Sequence, residues 1–342
     1  MDIITFKLKN AIVLILIFVM FITFFFNAQQ MTQTIINTII FCFSKLIPSI
    51  FPFMTLSSIF AQYSLTNNNT KKGTLFGIDK RFLKVIIPSW ISGFLIGPKL
   101  LNKKEVTEDL TDYVIITSNA GIGFVVSFVG IALWKNIYFG IFLYTIQITI
   151  AVVLFNVYKC QNTHTFNSFK TQMPLLTTIT DSINQSTKTM LDLCGFTIFF
   201  SVIKSSLCYI FKINTQSFLC TLISSVLEIS NGVFASSTLS NSLFSGFFTG
   251  FCIGFGGLCI FTQTISAYNG KINSRKFFKI KLIQGIICGI LSSLYVNIFK
   301  LSSINSVQAI LIVDSNYLSI VISSLYVFLL LIYTKRLILK QI

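Results

Sequence analysis

Long apolar runs recur along this 342-residue chain and constrain its fold more than any other feature. A helix needs about 20 mostly apolar residues to cross the hydrocarbon core of a bilayer. Hydrophobic residues make up 54% of the sequence and charged residues 11%, and the mean hydropathy is +0.80. Because soluble domains carry roughly 25% charged residues, this composition excludes an ordinary soluble globule, and it equally excludes a disordered chain. The sequence predicts an all-α polytopic membrane protein embedded in a lipid bilayer.

Eight of the ten apolar segments predict membrane crossings. These eight segments are 11–26, 34–60, 113–133, 137–158, 190–211, 243–265, 278–299 and 318–333. The first has no small-residue cleavage site after it, which predicts an uncleaved N-terminal anchor within residues 1–33. The other two segments are weak, because 82–101 is interrupted by proline and glycine and 218–229 is too short to span. The protein has ten crossings if both weak segments span and eight if both are re-entrant.

The charge of the chain predicts its orientation. It carries 26 Lys and Arg residues against 10 Asp and Glu, a formal net charge of +16. Most basic residues lie in short loops between apolar segments, where they contact anionic headgroups, so we do not expect nucleic acid as a partner. Loops 71–84 and 271–281 (the latter counted as far as Lys281), the tail over 335–340 and both termini are predicted to be cytoplasmic.

Two halves of the chain share features at a nearly constant spacing. A glycine, a second glycine and a glutamine in a long apolar helix recur in the same order. The pairs are Gly97 and Gly232, Gly121 and Gly257, and Gln147 and Gln284, at separations of 135, 136 and 137 positions. The spacing predicts two homologous repeats, over 34–158 and 188–300, joined by a polar linker over 159–187. A C-terminal helix and basic tail follow over 301–342.

Each repeat contains one weak segment, and paired interrupted segments are typical of the broken helices at a transporter's central site. A break frees backbone N–H and C=O groups, which are tolerated in a membrane only when they are buried in protein or line a cavity. Re-entrant segments would make the repeats inverted and the linker cytoplasmic, whereas spanning segments would make the repeats parallel. The linker has none of the features of a secreted loop, which favours the inverted arrangement.

Candidate site residues lie in the weak segments, just after the second one and in the apolar segment 113–133. Glu228 is an acidic side chain inside an apolar run, which by default indicates a functional site in a membrane, although a hydrated position near the interface is the alternative. Lys99 could bind an anion, pair with Glu228 or extend to the headgroups. A carboxamide such as Asn119 needs a partner and fits either the site or an interhelical bond. The complete set of expected solute-binding residues is Glu228, Asn231, Gly232, Ser118, Asn119, Gly121 and Lys99.

Signatures of enzymes and bound cofactors are missing from the sequence. The chain has no phosphate-binding loop, no zinc-protease motif and a single histidine, His164, in the polar linker. Its eight cysteines include no C-x-x-C pair, and nearly all of them lie in apolar runs, where a thiol behaves as a small hydrophobe. We therefore predict neither an enzyme, a cofactor nor a metal site.

Four ordered motifs carry a family resemblance. They are ISGFLIGPK at 91–99, TSNAG at 117–121, LEISNG at 227–232 and GFGGLCIFTQ at 254–263. Together they resemble the sporulation integral membrane proteins of the YlbJ type, within the nucleoside-recognition or Gate-domain class. The resemblance covers roughly residues 35 to 300. It implies a multi-pass protein of the bacterial cytoplasmic membrane with transporter-like inverted repeats and hairpins.

Two functions follow as hypotheses. The first is a transporter-like protein that binds or moves a small polar or anionic solute at a central site between the repeats. The second is a non-transporting membrane scaffold that acts through partner proteins in spore envelope assembly. The sequence leaves open whether the chain forms a homo-oligomer.

Overall fold

A computed structural model describes residues 18, 21–66, 73–102, 109–159, 175–214, 217–268 and 272–301 of the chain. This part is almost entirely helical. Within it, five helices are long and apolar enough to cross a membrane, over Ala28–Tyr63, Ile137–Tyr158, Leu176–Ile210, Ser242–Ala267 and Ser274–Ile298. The protein is therefore an all-α polytopic membrane protein. Most of the predicted anchor, most of the polar linker and the C-terminal helix and tail lie outside the described residues.

The first half runs from a long entry helix to a long closing helix. Its helices are α1 (Ala28–Phe41), α2 (Ile47–Thr66), α3 (Lys80–Ser92), α4 (Ile96–Asn102), α5 (Thr111–Thr117), a π-helix (Gly123–Leu133) and α6 (Ile137–Tyr158). A π-helical turn, Cys42–Leu46, joins α1 to α2, just before Pro48 and Pro52 of α2. Strands β1 (Thr74–Leu75) and β2 (Ile78–Asp79) form a small antiparallel hairpin ahead of α3.

The second half also runs from a long helix to a long closing helix. Its helices are α7 (Leu175–Ile210), α8 (Phe218–Leu227), α9 (Ile229–Ser237), α10 (Ser242–Phe255), α11 (Gly257–Ala267) and α12 (Ser274–Ile298). Two boundaries differ from the prediction. Helix α7 begins at Leu175, inside the predicted polar linker. The polar residues of 175–187 therefore belong to a helix rather than to a loop. The second weak segment continues to Ser237, since the serine-rich residues after Glu228 form a helix of their own.

Each weak segment folds into a hairpin of two short antiparallel helices. The first hairpin consists of α3 and α4, and a Cβ atom at Gly97 would lie 2.7 Å from the hydroxyl of Ser89 in the opposite arm. The second hairpin consists of α8 and α9, and a Cβ atom at Gly232 would lie 2.7 Å from the Cα atom of Ser225. The tips of the two hairpins are at Gly93 and Glu228.

A broken helix follows each hairpin. The first broken helix is α5 and the π-helix, separated by residues 118–122, and the second is α10 and α11, which meet at Gly256. The closing helices α6 and α12 then pack against each other. They run in opposite directions, because Phe142 stacks on Tyr295 at 4.1 Å while Gln147, further along α6, contacts Gln284, which comes earlier in α12.

Several connections meet at one end of the molecule, including the β-hairpin before α3 and the residues just before the last helix, which belong to the two predicted cytoplasmic loops. The hydrogen bonds that join them are Asn156 to the Phe76 oxygen at 2.9 Å, Asn102 to the Ala267 oxygen at 3.3 Å and the Asn273 amide to the Thr111 hydroxyl at 2.8 Å. The first hairpin enters from this end. The second enters from the opposite end, where Phe218 packs on Phe244.

Candidate functional site

The tips of both hairpins border one cavity of about 40 Å³ inside the protein. It is lined by the first hairpin tip, the second hairpin tip, both broken helices and side chains of α2 and α7. A cavity of this size holds roughly two or three water molecules. The polar side chains on its wall are Ser92, Thr197, Glu228, Ser230 and Gln263. The two weak segments thus border the same small, mainly apolar space.

Glu228 is buried at the tip of the second hairpin, with 2% of its surface exposed. Its backbone is extended, which separates α8 from α9. Its carboxylate caps α9, because one oxygen accepts a hydrogen bond from the Ser230 amide at 2.9 Å and the other from the Asn231 amide at 2.7 Å. These bonds use two of the roughly four lone-pair positions of a carboxylate. Glu228 therefore keeps acceptor capacity at the cavity.

Two further polar atoms at the cavity have no hydrogen-bond partner within the described residues: the hydroxyl of Ser92 and the side-chain oxygen of Gln263. Each of these side chains is only 4% exposed. An unpartnered buried polar atom costs about 1–3 kcal/mol, so its retention calls for a ligand or a water molecule. Together with Glu228, they place three side chains with acceptor capacity on a wall that is otherwise mainly apolar.

Two glycines allow the hairpin tips to approach the broken helices. A Cβ atom at Gly121 would lie 2.6 Å from the backbone oxygen of Ser92, and one at Gly257 would lie 3.0 Å from the backbone oxygen of Leu227. Gly257 also has a φ of +81°, which other residues rarely adopt. Each tip is therefore fixed to the break that follows it in the chain. Gly256, beside Gly257, packs on Phe94 and so connects the second break to the first hairpin.

A buried polar network lies at the first break and joins the two halves. Lys281 donates to the Ser118 backbone oxygen at 2.6 Å and to the Gln284 side-chain oxygen at 2.8 Å. The amide nitrogen of Gln284 donates to the Asn119 side-chain oxygen at 2.8 Å and to the Gln147 backbone oxygen at 3.0 Å. Ser118 and Asn119 thus lie in this network rather than on the cavity wall.

Lys281 was predicted to be a cytoplasmic loop residue, and that prediction is wrong. Helix α12 begins at Ser274, so Lys281 lies two turns inside it, with 1% of its surface exposed. The basic cluster that precedes it in the sequence has the composition of a loop. Its partners at the first break are more than 160 positions away in the chain, and no local pattern in the sequence indicates them.

The remaining candidate residues occupy separate surroundings. Lys99 donates to the Thr189 hydroxyl of α7 at 2.6 Å and does not line the cavity. Gly232 packs against Cys252 of the second broken helix. Asn231 donates from its side chain to the Ser201 hydroxyl at 2.7 Å. The structure therefore brings Glu228 and Gly121 to the cavity and distributes the other candidates around it.

A second, larger groove of about 400 Å³ lies between α1, α7 and α9. Asn231 and Ser201 are on its wall, together with Lys204 and polar side chains of α1. Because the backbone amide of Asn231 also binds Glu228, this residue separates the groove from the cavity. The groove thus places polar side chains of α1 and α7 close to the helix that Glu228 caps.

Among the residues that the structure describes, no group of three or more His, Cys, Asp or Glu side chains is placed to hold a metal ion. The seven cysteines in this part are all buried and unpaired by disulfides. Comparison of the chain with family models, with curated proteins and with solved structures gives no match in any of the three.

Proposed function

We propose that this protein is a transporter-like membrane protein that binds a small polar solute at the cavity between its two hairpin tips. The observation that carries the proposal is that Gly93 and Glu228, the two tips, border one space together with residues of both broken helices. Interrupted helices inside a membrane are tolerated where they line a cavity, and transporters place their substrate sites there.

The contacts at the tips support two homologous repeats. Gly121 packs against Ser92 and Gly93, and Gly257 packs against Leu227 and Glu228. Each residue of the second set lies 135 or 136 positions after its counterpart in the first. The contacts of Gly97 with Thr117 and of Gly232 with Cys252 keep the same separation of 135 positions. A shared ancestral unit explains why the same contacts recur at the same distance along the chain.

The relative direction of the closing helices supports an inverted arrangement of these repeats. Helices α6 and α12 hold equivalent places in the two halves and run antiparallel. Hairpins that enter from opposite ends are a further expected consequence of inversion. With both weak segments re-entrant, the predicted total is eight crossings, and the basic loops share one face with both termini. We propose that this face is cytoplasmic, following the positive-inside rule.

The chemistry of the cavity favours a polar solute that donates hydrogen bonds. Glu228 and the side-chain oxygen of Gln263 are acceptors, and the Ser92 hydroxyl can act in either role. The alternative of an anionic solute depended on Lys99 as the residue that binds the anion. The amine of Lys99 binds Thr189 instead. Because the cavity is small, we infer that it belongs to a closed state and that a hairpin tip must move to admit a solute.

The resemblance of the motifs to Gate-domain sporulation proteins supports the cytoplasmic membrane of a spore-forming bacterium as the location of this proposed activity. Under this assignment the protein is not an enzyme, and its sporulation role depends on the solute. The scaffold hypothesis differs in one respect that can be measured: it requires the fold of the protein but not the carboxyl group of Glu228.

The test is Glu228→Gln in a host strain that lacks the native protein. The amide oxygen of glutamine can still accept one of the two capping hydrogen bonds, so the variant is expected to fold. We expect loss of sporulation, or of solute uptake, at normal membrane abundance. Asp181→Asn is the matched control, because Asp181 is an exposed carboxylate on α7. If Glu228→Gln accumulates normally and sporulation is unaffected, the transport proposal fails and the scaffold hypothesis replaces it.

A further inference from the structure

Lys281 is an ionisable side chain among neutral partners inside a membrane-spanning helix, which is a costly position. Its amine donates hydrogen bonds to the Ser118 backbone oxygen at 2.6 Å, the Gln284 side-chain oxygen at 2.8 Å and the Asn119 side-chain oxygen at 3.3 Å. A lysine ammonium has three N–H donors. The three acceptors therefore match the donors of the protonated side chain one for one.

The first helix break supplies two of these acceptors. Helix α5 ends at Thr117, and Ser118 is its C-cap residue. Carbonyl oxygens at a helix C-terminus lack intrahelical partners and carry partial negative charge. The ring of Phe94, at the first hairpin tip, adds a cation–π contact with its centroid 5.7 Å from the amine. The break thus presents oxygens and an aromatic face to a single cation.

We propose that Lys281 is the resident cation of the first helix break. In transporters with broken helices, unwound carbonyls and helix C-terminal ends coordinate the coupling ion. Here a lysine from the other half of the protein fills the equivalent position and ties the first hairpin, the first break and α12 together. The inference deepens the proposed function, and one of its consequences rests on that function. With Lys281 at this break, solute handling needs no monovalent metal ion there.

Chemical rescue tests the proposal on the purified full-length protein in detergent. Lys281→Ala removes the ammonium and leaves space for a small amine. We expect the thermal unfolding midpoint to fall by about 5–10 °C. Propylammonium at millimolar concentration should restore at least half of this loss. Neutral n-propanol, which has a similar size, and choline, which is too large, should not.

A local readout accompanies the unfolding midpoint. Trp90 donates its indole N–H to the Ile116 backbone oxygen at 2.8 Å, close to the end of α5. The chain has two tryptophans, so Trp134→Phe leaves Trp90 as the only fluorophore of its kind. In this background we expect Lys281→Ala to shift the emission of Trp90 to longer wavelength and propylammonium to reverse the shift.

Two control variants keep the test decisive. Lys279→Ala removes an exposed lysine of the same helix and should neither lower the midpoint nor respond to the amine. Lys281→Met keeps the stem but leaves the three acceptors unfilled, so it should be less stable than the wild type and insensitive to propylammonium. If Lys281→Ala does not accumulate, the comparison of Lys281→Met with Lys279→Met decides. If Lys281→Met fails to accumulate while Lys279→Met accumulates normally, this result counts as the expected loss of stability.

The proposal is overturned if n-propanol rescues Lys281→Ala as well as propylammonium does, because the effect would then be cavity filling. A wild-type midpoint in Lys281→Met overturns it as well. Neither readout involves a solute or Glu228. A negative result for Glu228→Gln would therefore remove the transport proposal and leave the resident cation intact, and the converse also holds.

Discussion

The side-chain amide of Gln284 donates to the backbone oxygen of Gln147 at 3.0 Å and so joins the closing helices of the two halves. Gln147 in turn accepts a hydrogen bond from the Ala120 amide at 3.3 Å and donates to the Ala120 oxygen at 2.7 Å. The two glutamines thus form a continuous connection from α12 through α6 to the first helix break.

Gln284→Leu is expected to destabilise the protein by about 2–4 kcal/mol, because the oxygens of Asn119 and Gln147 lose donors in a buried environment. Thermal unfolding of the purified protein measures the change. Gln29→Leu, at an exposed position of α1, is the matched control and should be nearly neutral. Similar unfolding midpoints for the two variants would show that the connection contributes little.

Gly121→Ala is expected to lower the unfolding midpoint, because its Cβ atom would lie 2.6 Å from the Ser92 oxygen and push the first hairpin tip away. Gly195→Ala is the control, since a Cβ atom at this position in α7 meets nothing within 4 Å. Alanine is a better helix former than glycine by about 1 kcal/mol, so Gly195→Ala should leave stability unchanged or raise it. If the two variants have similar unfolding midpoints, close packing at Gly121 is not needed for stability.

Labelling of introduced cysteines tests the eight-crossing topology. In a Cys160→Ser background, the other seven cysteines are buried and should react slowly. Cysteines at Leu75 and Arg275 should react with a membrane-impermeant maleimide from one face only, and cysteines at Lys135 and Ser240 from the other. All four positions are exposed. Labelling of the Lys135 and Arg275 positions from the same face would contradict the predicted topology.

Lys99→Met is expected to retain most of the function that Glu228→Gln loses, because Lys99 binds Thr189 and does not line the cavity. Complementation of sporulation, or of solute uptake, at matched membrane abundance measures the difference. A loss as large as that of Glu228→Gln would restore Lys99 to the binding site and with it the case for an anionic solute.

The sequence located the interrupted segments because proline, glycine and length are local properties. It ended the second segment near residue 229, since the residues after Glu228 are small and polar and resemble a loop. They form helix α9 because the Glu228 carboxylate caps it and Gly232 packs closely on the arm formed by α8. Both contacts depend on the hairpin, which hydropathy alone does not describe.

Lys281 could not have been identified by the same reasoning. Its separation from Ser118 and Asn119 is more than 160 residues, and the basic residues that precede it mark the end of a loop rather than a buried site. Lys99 illustrates the opposite error. Its position just after the first hairpin tip predicts a place in the binding site, but its side chain extends to α7.

The two hairpins begin at opposite ends of the molecule and finish at the same cavity. In the proposed eight-crossing topology, each face of the bilayer therefore has its own hairpin leading to the shared cavity. Under the proposed transport function, movement of one hairpin would open the cavity to one compartment while the other hairpin still closes it, so alternate exposure would require no rearrangement of the long helices.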